Sequence, residues 1–221
     1  MVSVKHLLEN IKGVYANCRK FKLSIERGGH YAKDTGFFWC SRKESFNKKL
    51  LKIAVLGVKE QGGYVTLIDL ADYPMPIFNQ DLEQEQGIPE NARKLKQLMV
   101  EHNAFIIASP EYNSTFSPLL KNVIDWASRA ESDEEPPLVA YKGKLAVIMA
   151  ASPGALGGLR GLVFLRMLLA NIGVTVLPDQ EVIPKSFKAF NDDGSLIDNR
   201  KHESVLGLGR KLFFAVRKLQ G

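Results

Sequence analysis

Cysteine is scarce in this chain. Two cysteines, Cys18 and Cys40, among 221 residues build neither a disulfide framework nor a four-ligand zinc site. Histidine is sparse as well. His6, His30, His102 and His202 are scattered, with no pair at ligand spacing, so no metal site is expected. No apolar run approaches the roughly 18 residues that a membrane-spanning helix requires; the longest, around Leu145 to Ala151, has the length of a strand. An integral membrane protein is therefore excluded. Internal repeats, low-complexity linkers, a Walker A loop and the spaced glycines of the dinucleotide fingerprint are also missing. No secretory signal is evident, which makes the cytoplasm the expected compartment, with an organelle address in the basic first 40 residues left open.

One sign of charge is missing from the body of the chain. The formal net charge is +6, a value that ordinarily raises nucleic-acid or membrane binding. Residues 1–50 hold 11 Lys/Arg against 4 Asp/Glu, whereas residues 51–221 hold 19 against 20. The excess thus belongs to the N-terminal fifth, where Gly, aromatic and apolar residues dilute it and no helical basic stripe forms. Neither nucleic acid nor a membrane is an expected partner.

What is present is alternation. Residues 46–60 place Phe46, Leu50, Ile53, Ala54 and Gly57 on one helical stripe, ended by Gly62-Gly63. Strands are expected at 64–69, 104–108, 144–151 and 174–182, and helices at 118–128, 158–171 and 201–219. A further helix runs from Pro89 to about His102, with Ala92, Leu95, Leu98 and Met99 inward. Such βαβ alternation with nearly all-apolar strands signals a parallel sheet covered on both faces. Right-handed crossovers then favour an α/β, flavodoxin-like, doubly wound five-stranded parallel sheet. Residues 41–221 form that domain, and residues 1–40 an atypical N-terminal segment that contains the first strand. Two registers stand open for this strand, 35–40 and 2–8.

In an open parallel sheet, ligands bind beyond the carboxyl ends of the strands, where the winding reverses. Three segments fall at such ends: 41–47 (SRKESFN), 109–115 (SPEYNST) and 152–160 (SPGALGGLR). In the first, Ser41, Ser45 and Asn47 bring hydroxyl and amide groups, Arg42 a guanidinium, and the helix start free N–H groups. These suit a phosphate monoester, against the plainer reading of Ser45 as an N-cap and Arg42 as a solvated charge. In the second, Pro110 stiffens the turn, Tyr112 and Asn113 offer an aromatic face and an amide, and Glu111 caps the following helix or orients Tyr112. The alternative is a turn whose tyrosine packs on its own surface. In the third, Gly154, Gly157 and Gly158 allow close approach to a flat ligand, or simply serve helix entry. Glu134-Glu135 read as solvated loop charge, and Cys40 as a partly buried structural cysteine in preference to a redox thiol.

The segment Ser109-Pro110-Glu111-Tyr112-Asn113-Ser114, with Leu120-Lys121-Asn122 and Asp125-Trp126 downstream, resembles the signature of the NADPH-dependent FMN reductase family. So do Ser152-Pro153-Gly154, Gly157-Gly158, Arg160 and Leu165-Arg166, and, after the second strand, Asp69-Leu70 and Pro74-x-Pro76. The resemblance spans about residues 41–200 and covers a family that includes azoreductases, quinone reductases and chromate or ferric reductases. It implies FMN as cofactor and NADPH as co-substrate. It further implies that Ser41, Arg42, Ser45 and Asn47 hold the FMN phosphate, and that Pro110, Glu111, Tyr112 and Asn113 line the ring and ribityl chain. Ser152, Gly154 and Gly157 would lie at the ring edge, Arg160 would meet the nicotinamide nucleotide's phosphates, and the helix carrying Leu120 to Trp126 would pack at a homodimer or homotetramer interface.

One departure stands out. The family's phosphate loop begins Gly-Ser-x-Arg, whereas this chain has Trp39-Cys40-Ser41-Arg42. The expected activity is an NAD(P)H-dependent flavin oxidoreductase that passes hydride from NADPH through FMN to a small-molecule acceptor: free flavin, a quinone, an azo compound or a metal ion. No side-chain acid or base is needed for hydride transfer, and no catalytic side chain is assigned. Two alternatives remain open: a flavodoxin-type electron carrier, and a flavin-free homologue whose phosphate turn is filled by Trp39.

Overall fold

The computed structural model describes residues 33–38 and 45–220. Seven strands and six helices follow in chain order within them. They are β1 (Lys33–Phe38), α1 (Phe46–Lys59), β2 (Tyr64–Asp69), α2 (Gln80–Gln86), α3 (Glu90–Glu101) and β3 (Ala104–Ala108). Then come β4 (Glu111–Tyr112), β5 (Thr115–Phe116), α4 (Pro118–Ala127), β6 (Leu145–Ala151), α5 (Leu159–Asn171), β7 (Thr175–Ile183) and α6 (Asn199–Gln220). The first strand therefore lies close to the 35–40 register; the 2–8 candidate lies outside the described residues.

The large sheet has the order β2-β1-β3-β6-β7, and every pairing in it is parallel. Its central strands are apolar throughout because both faces are covered: every residue of β3 and β6 is buried. Alternate side chains sort to opposite cores, as the two-residue period of a strand requires. Ala104, Ile106, Val147 and Met149 meet α1 and α6. Phe105, Ile107, Ala146 and Ile148 meet α3, α4 and α5 on the other side.

Two glycines set how closely α1 lies against α6. A Cβ on Gly57 would stand 2.0 Å from the Leu206 carbonyl oxygen, and one on Gly209 would stand 1.9 Å from that of Ala54. The helices cross backbone to backbone. The N-terminus of α1 faces the carboxyl edge of the sheet, so the crossing also places that pole.

Some surface readings change. Glu135 is not a solvated loop charge: its carboxylate accepts from the Lys96 ammonium at 2.6 Å, and Lys96 is buried. In α4, Leu120, Val123, Ile124, Trp126 and Ala127 are buried in the chain's own cores, and Leu119 is partly buried.

Candidate active site at the carboxyl edge of the sheet

The winding reverses between β1 and β3, because β2 lies outside β1 while β3 lies on its other side. Phe38 pairs with both Asp69 and Ala108, so β1, β2 and β3 end at one level. Ala151 ends β6 two residues beyond Met149, the partner of Ala108. A crevice at this edge is where a doubly wound sheet receives its ligand.

The N-terminus of α1 opens onto it. Ser45 is the N-cap, with extended backbone, and its hydroxyl accepts from the Lys48 N–H at 3.4 Å. The first turn of α1 carries no acidic residue, so the positive pole of the helix is left for an anion. Lys48 in that turn is paired with Asp69, the last residue of β2. Asp69 also accepts from the Ala71 N–H at 3.1 Å. Asn47 is buried, and both ends of its amide meet the Ala151 backbone. Ser41, Arg42, Trp39 and Cys40 lie outside the described residues.

The second segment is a β-hairpin. Glu111 pairs with Phe116 and Tyr112 with Thr115. The two residues between have φ of 50° at Asn113 and 71° at Ser114, the signature of a type I′ turn. Tyr112 is 52% exposed at the edge. Glu111 does not cap the helix that follows; Ser117 does, accepting from the Leu120 N–H at 3.2 Å. The Glu111 carboxylate instead accepts from the Gly161 N–H in the first turn of α5 at 3.0 Å, and lies 3.3 Å from the Arg160 guanidinium. A Cβ on Gly161 would stand 3.3 Å from both the Glu111 Cβ and the Thr115 oxygen, so glycine there lets the hairpin close on α5.

The third segment is tied to the turn after β7. Ser152 N–H donates to Ile183, Ser186 N–H to Ser152 and Lys185 N–H to Gly154, at 3.1, 3.1 and 3.3 Å. Gly157, at φ 62°, lies where a Cβ would stand 2.7 Å from the Pro184 nitrogen. Its close approach is thus to the chain's own backbone. Gly154 is exposed, with room for a ligand above it. The Arg160 side chain is more than half exposed.

A fourth segment at this edge was not singled out from the sequence as part of the site. Asn122 accepts from Phe78 N–H at 2.7 Å and donates to the Pro76 carbonyl at 2.9 Å; the Trp126 indole donates to the same carbonyl at 2.8 Å. The Leu-Lys-Asn and Asp-Trp elements therefore hold the loop after β2. The pair of prolines at 74 and 76 was the only local signal of it. Among the described residues no group of His, Cys, Asp and Glu is arranged to hold a metal, and no helix is long and apolar enough to cross a membrane.

A helix start with no acidic residue in its first turn, an exposed aromatic ring and an exposed glycine loop at one switch point fit a planar cofactor with a phosphate tail. This is the donor set of a flavodoxin-like, FMN-using oxidoreductase. Residues 37–188 match the family described as NADPH-dependent FMN reductase, and the chain belongs to that family. It is 33% identical over 181 residues to an NAD(P)H-dependent FMN reductase of Pseudomonas aeruginosa, covering 81% of this chain and 92% of that one. It is 32% identical to an NADPH:quinone oxidoreductase of Arabidopsis thaliana, covering 81% and 89%. Among solved structures, a flavoenzyme NAD(P)H:(acceptor) oxidoreductase of Paracoccus denitrificans superposes with a TM-score of 0.69 at 25% identity, covering 85% and 98%. The chain is an NAD(P)H-dependent flavin oxidoreductase, with FMN as cofactor and NADPH as co-substrate.

Proposed function

We propose that this enzyme reduces quinones by two electrons, with the carboxyl edge described above as its flavin site. FMN held there would supply two-electron hydride chemistry, by which NADPH, a quinone and one proton from solvent would give NADP+ and a hydroquinone. In this reading Ser41, Arg42 and Ser45 hold the FMN phosphate at the pole of α1, with Asn47 in the same turn. Pro110, Glu111, Tyr112 and Asn113 border the ring and ribityl chain. Ser152, Gly154 and Gly157 shape the ring edge, and Arg160 meets a phosphate of the nicotinamide nucleotide.

The observation that carries the proposal is the fixed hairpin. Glu111 bolts it to α5, and that leaves the Tyr112 ring exposed at the switch point as a wall for planar ligands. The quinone as acceptor is supported by the relatives, several of which are named as quinone reductases. Self-association belongs to the same reading. Its support lies in α5 rather than α4, because Val163, Phe164 and Met167 of α5 are exposed. A cytoplasmic setting, where NADPH is kept reduced, completes it.

The test is steady-state consumption of NADPH by the full chain loaded with FMN, with a benzoquinone as acceptor and no protein partner. Turnover with one hydroquinone formed per NADPH supports the proposal. Turnover only when a redox partner protein is added would refute it and indicate an electron carrier.

A further inference from the structure

We propose that Asn47 is a positioning residue that locks the segment 152–158 to the N-terminus of α1, so that it governs the hold on the flavin's ring rather than on its phosphate. The proposal rests on the flavin site above and goes beyond it by giving Asn47 a different task from Ser41, Arg42 and Ser45.

The sheet shows why an amide is needed there. On the β3 side, the last contact of β6 with its neighbour is the Ser109 N–H donating to the Met149 carbonyl at 3.0 Å. Two residues on, Ala151 presents its N–H and C=O to the same side, because strand residues two apart face one way. β3 has ended by then. A buried backbone pair left without partners is costly. Asn47, 104 residues away in sequence, fills that place: its Oδ1 accepts from the Ala151 N–H at 2.8 Å and its Nδ2 donates to the Ala151 carbonyl at 3.0 Å. The side chain acts as one further step of the vanished strand. A carboxamide holds a donor and an acceptor on neighbouring atoms in one plane, matching the N–H and C=O of a single strand residue.

The consequence falls on the next residue, where segment 152–158 begins. Its β7 side is held by the three backbone bonds to residues 183–186. Its other side is held at the root by Asn47. Because Asn47 is the second residue of α1, the phosphate pole and the ring-edge loop move as one piece. Asn47 is only 5% exposed, and its carboxamide oxygen and one amide proton are already committed to Ala151, which suits a strut better than an anion contact.

FMN and riboflavin, which lacks the phosphate, separate the two roles. Each is titrated by flavin fluorescence into the full chain, the Asn47→Ala and Asn47→Asp variants, and Arg42→Ala for comparison. Hydrogen exchange of peptides covering 145–160 is followed without ligand. The strut predicts that both Asn47 variants lose affinity for FMN and riboflavin by a common factor, on the order of tenfold, and that amides 151–158 exchange faster. Loss confined to FMN, the pattern expected of Arg42→Ala, would overturn it. So would unchanged exchange, whatever the ligands do. A wild-type chain that bound neither flavin would sink the flavin site instead, and the exchange data would still decide for or against the strut. If Asn47→Ala does not fold, Asn47→Gln, which keeps the amide one methylene further out, carries the same measurements.

Discussion

At the scale of single residues, two buried lysines are held in opposite ways. Lys144 donates to the carbonyl oxygens of Val100 and His102 at the end of α3, and burial pulls its pKa from 10.5 down to about 8. Among the described residues no carboxylate pairs with it. A base whose folded pKa is lowered binds fewer protons than the unfolded chain between about pH 8 and 10.5, so stability rises with pH across that window. Below it the penalty is full and constant. Wild type should therefore gain stability relative to Lys144→Met on going from pH 7.5 to 9.5, by about 2 kcal/mol. Urea unfolding at the two pH values measures it; parallel behaviour of the two proteins would contradict the assignment. Comparing the pair also cancels Tyr141, whose hydroxyl burial, with Asp125 nearby, pushes to higher pKa.

Lys96 has the partner that Lys144 lacks. Burial alone would raise the Glu135 carboxyl, but hydrogen bonds from Lys96 and the Glu131 N–H, with the Lys96 charge, outweigh it and leave the carboxyl below its ordinary value. Its stabilisation is present above the unfolded value and is lost as pH falls through the lowered one. Glu135→Gln should cost on the order of 1–3 kcal/mol near neutrality. That deficit should shrink in acid, where wild type loses the same charge; a deficit independent of pH would argue against the pairing. The sequence concealed this because Glu134 and Glu135 look alike, and only the fold brings residue 135 to Lys96.

At the scale of elements, the crossing of α1 and α6 decides where the phosphate pole stands. Gly57→Ala and Gly209→Ala each force a methyl into a facing carbonyl and should destabilise by about 1–3 kcal/mol or more. Gly207→Ala, where a Cβ meets nothing within 4 Å, should stabilise by roughly 0.5–1 kcal/mol, since alanine favours the helix. Thermal melts of the three variants check this. A similar loss at Gly207 and Gly57 would mean that helix propensity, not the close crossing, sets the effect.

The same scale shows what was legible beforehand. α1, α3 and α4 announced themselves by apolar stripes that the structure buries. α2 did not, since none of its seven residues is buried and no stripe exists to read. The hairpin at Glu111 to Phe116 was hidden because its turn uses Asn113-Ser114 in place of the more telling Asn-Gly. The first strand was ambiguous because it begins Lys33-Asp34, two charges where an apolar run was sought. Of the four segments at the site, three were recognisable as loops in the sequence, one of them described only from Ser45 onward. Their internal ties, Asn47 to Ala151 and Glu111 to Gly161, span 104 and 50 residues, which no local pattern can reveal.

At the scale of the whole molecule, four segments meet at one edge and are bound to one another by side chains rather than left to their own flexibility. Glu111 ties the hairpin to α5, and Asn122 with Trp126 ties the loop after β2 to α4. Such prior ordering lowers the cost of seating a rigid planar cofactor. Glu111→Ala should therefore weaken FMN binding by about tenfold through loss of the bond to α5, with far-ultraviolet circular dichroism unchanged; full-strength binding in that variant would remove the hairpin from the site.

The most direct test of the flavin site is an absorbance spectrum of the purified full chain after loading with FMN and washing, followed by NADPH under argon and then a quinone. Retained flavin bands that bleach with NADPH and return on adding quinone are the expected result. A chain that retains no flavin and, given free FMN, still consumes no NADPH would contradict the account, leaving the fold without the activity.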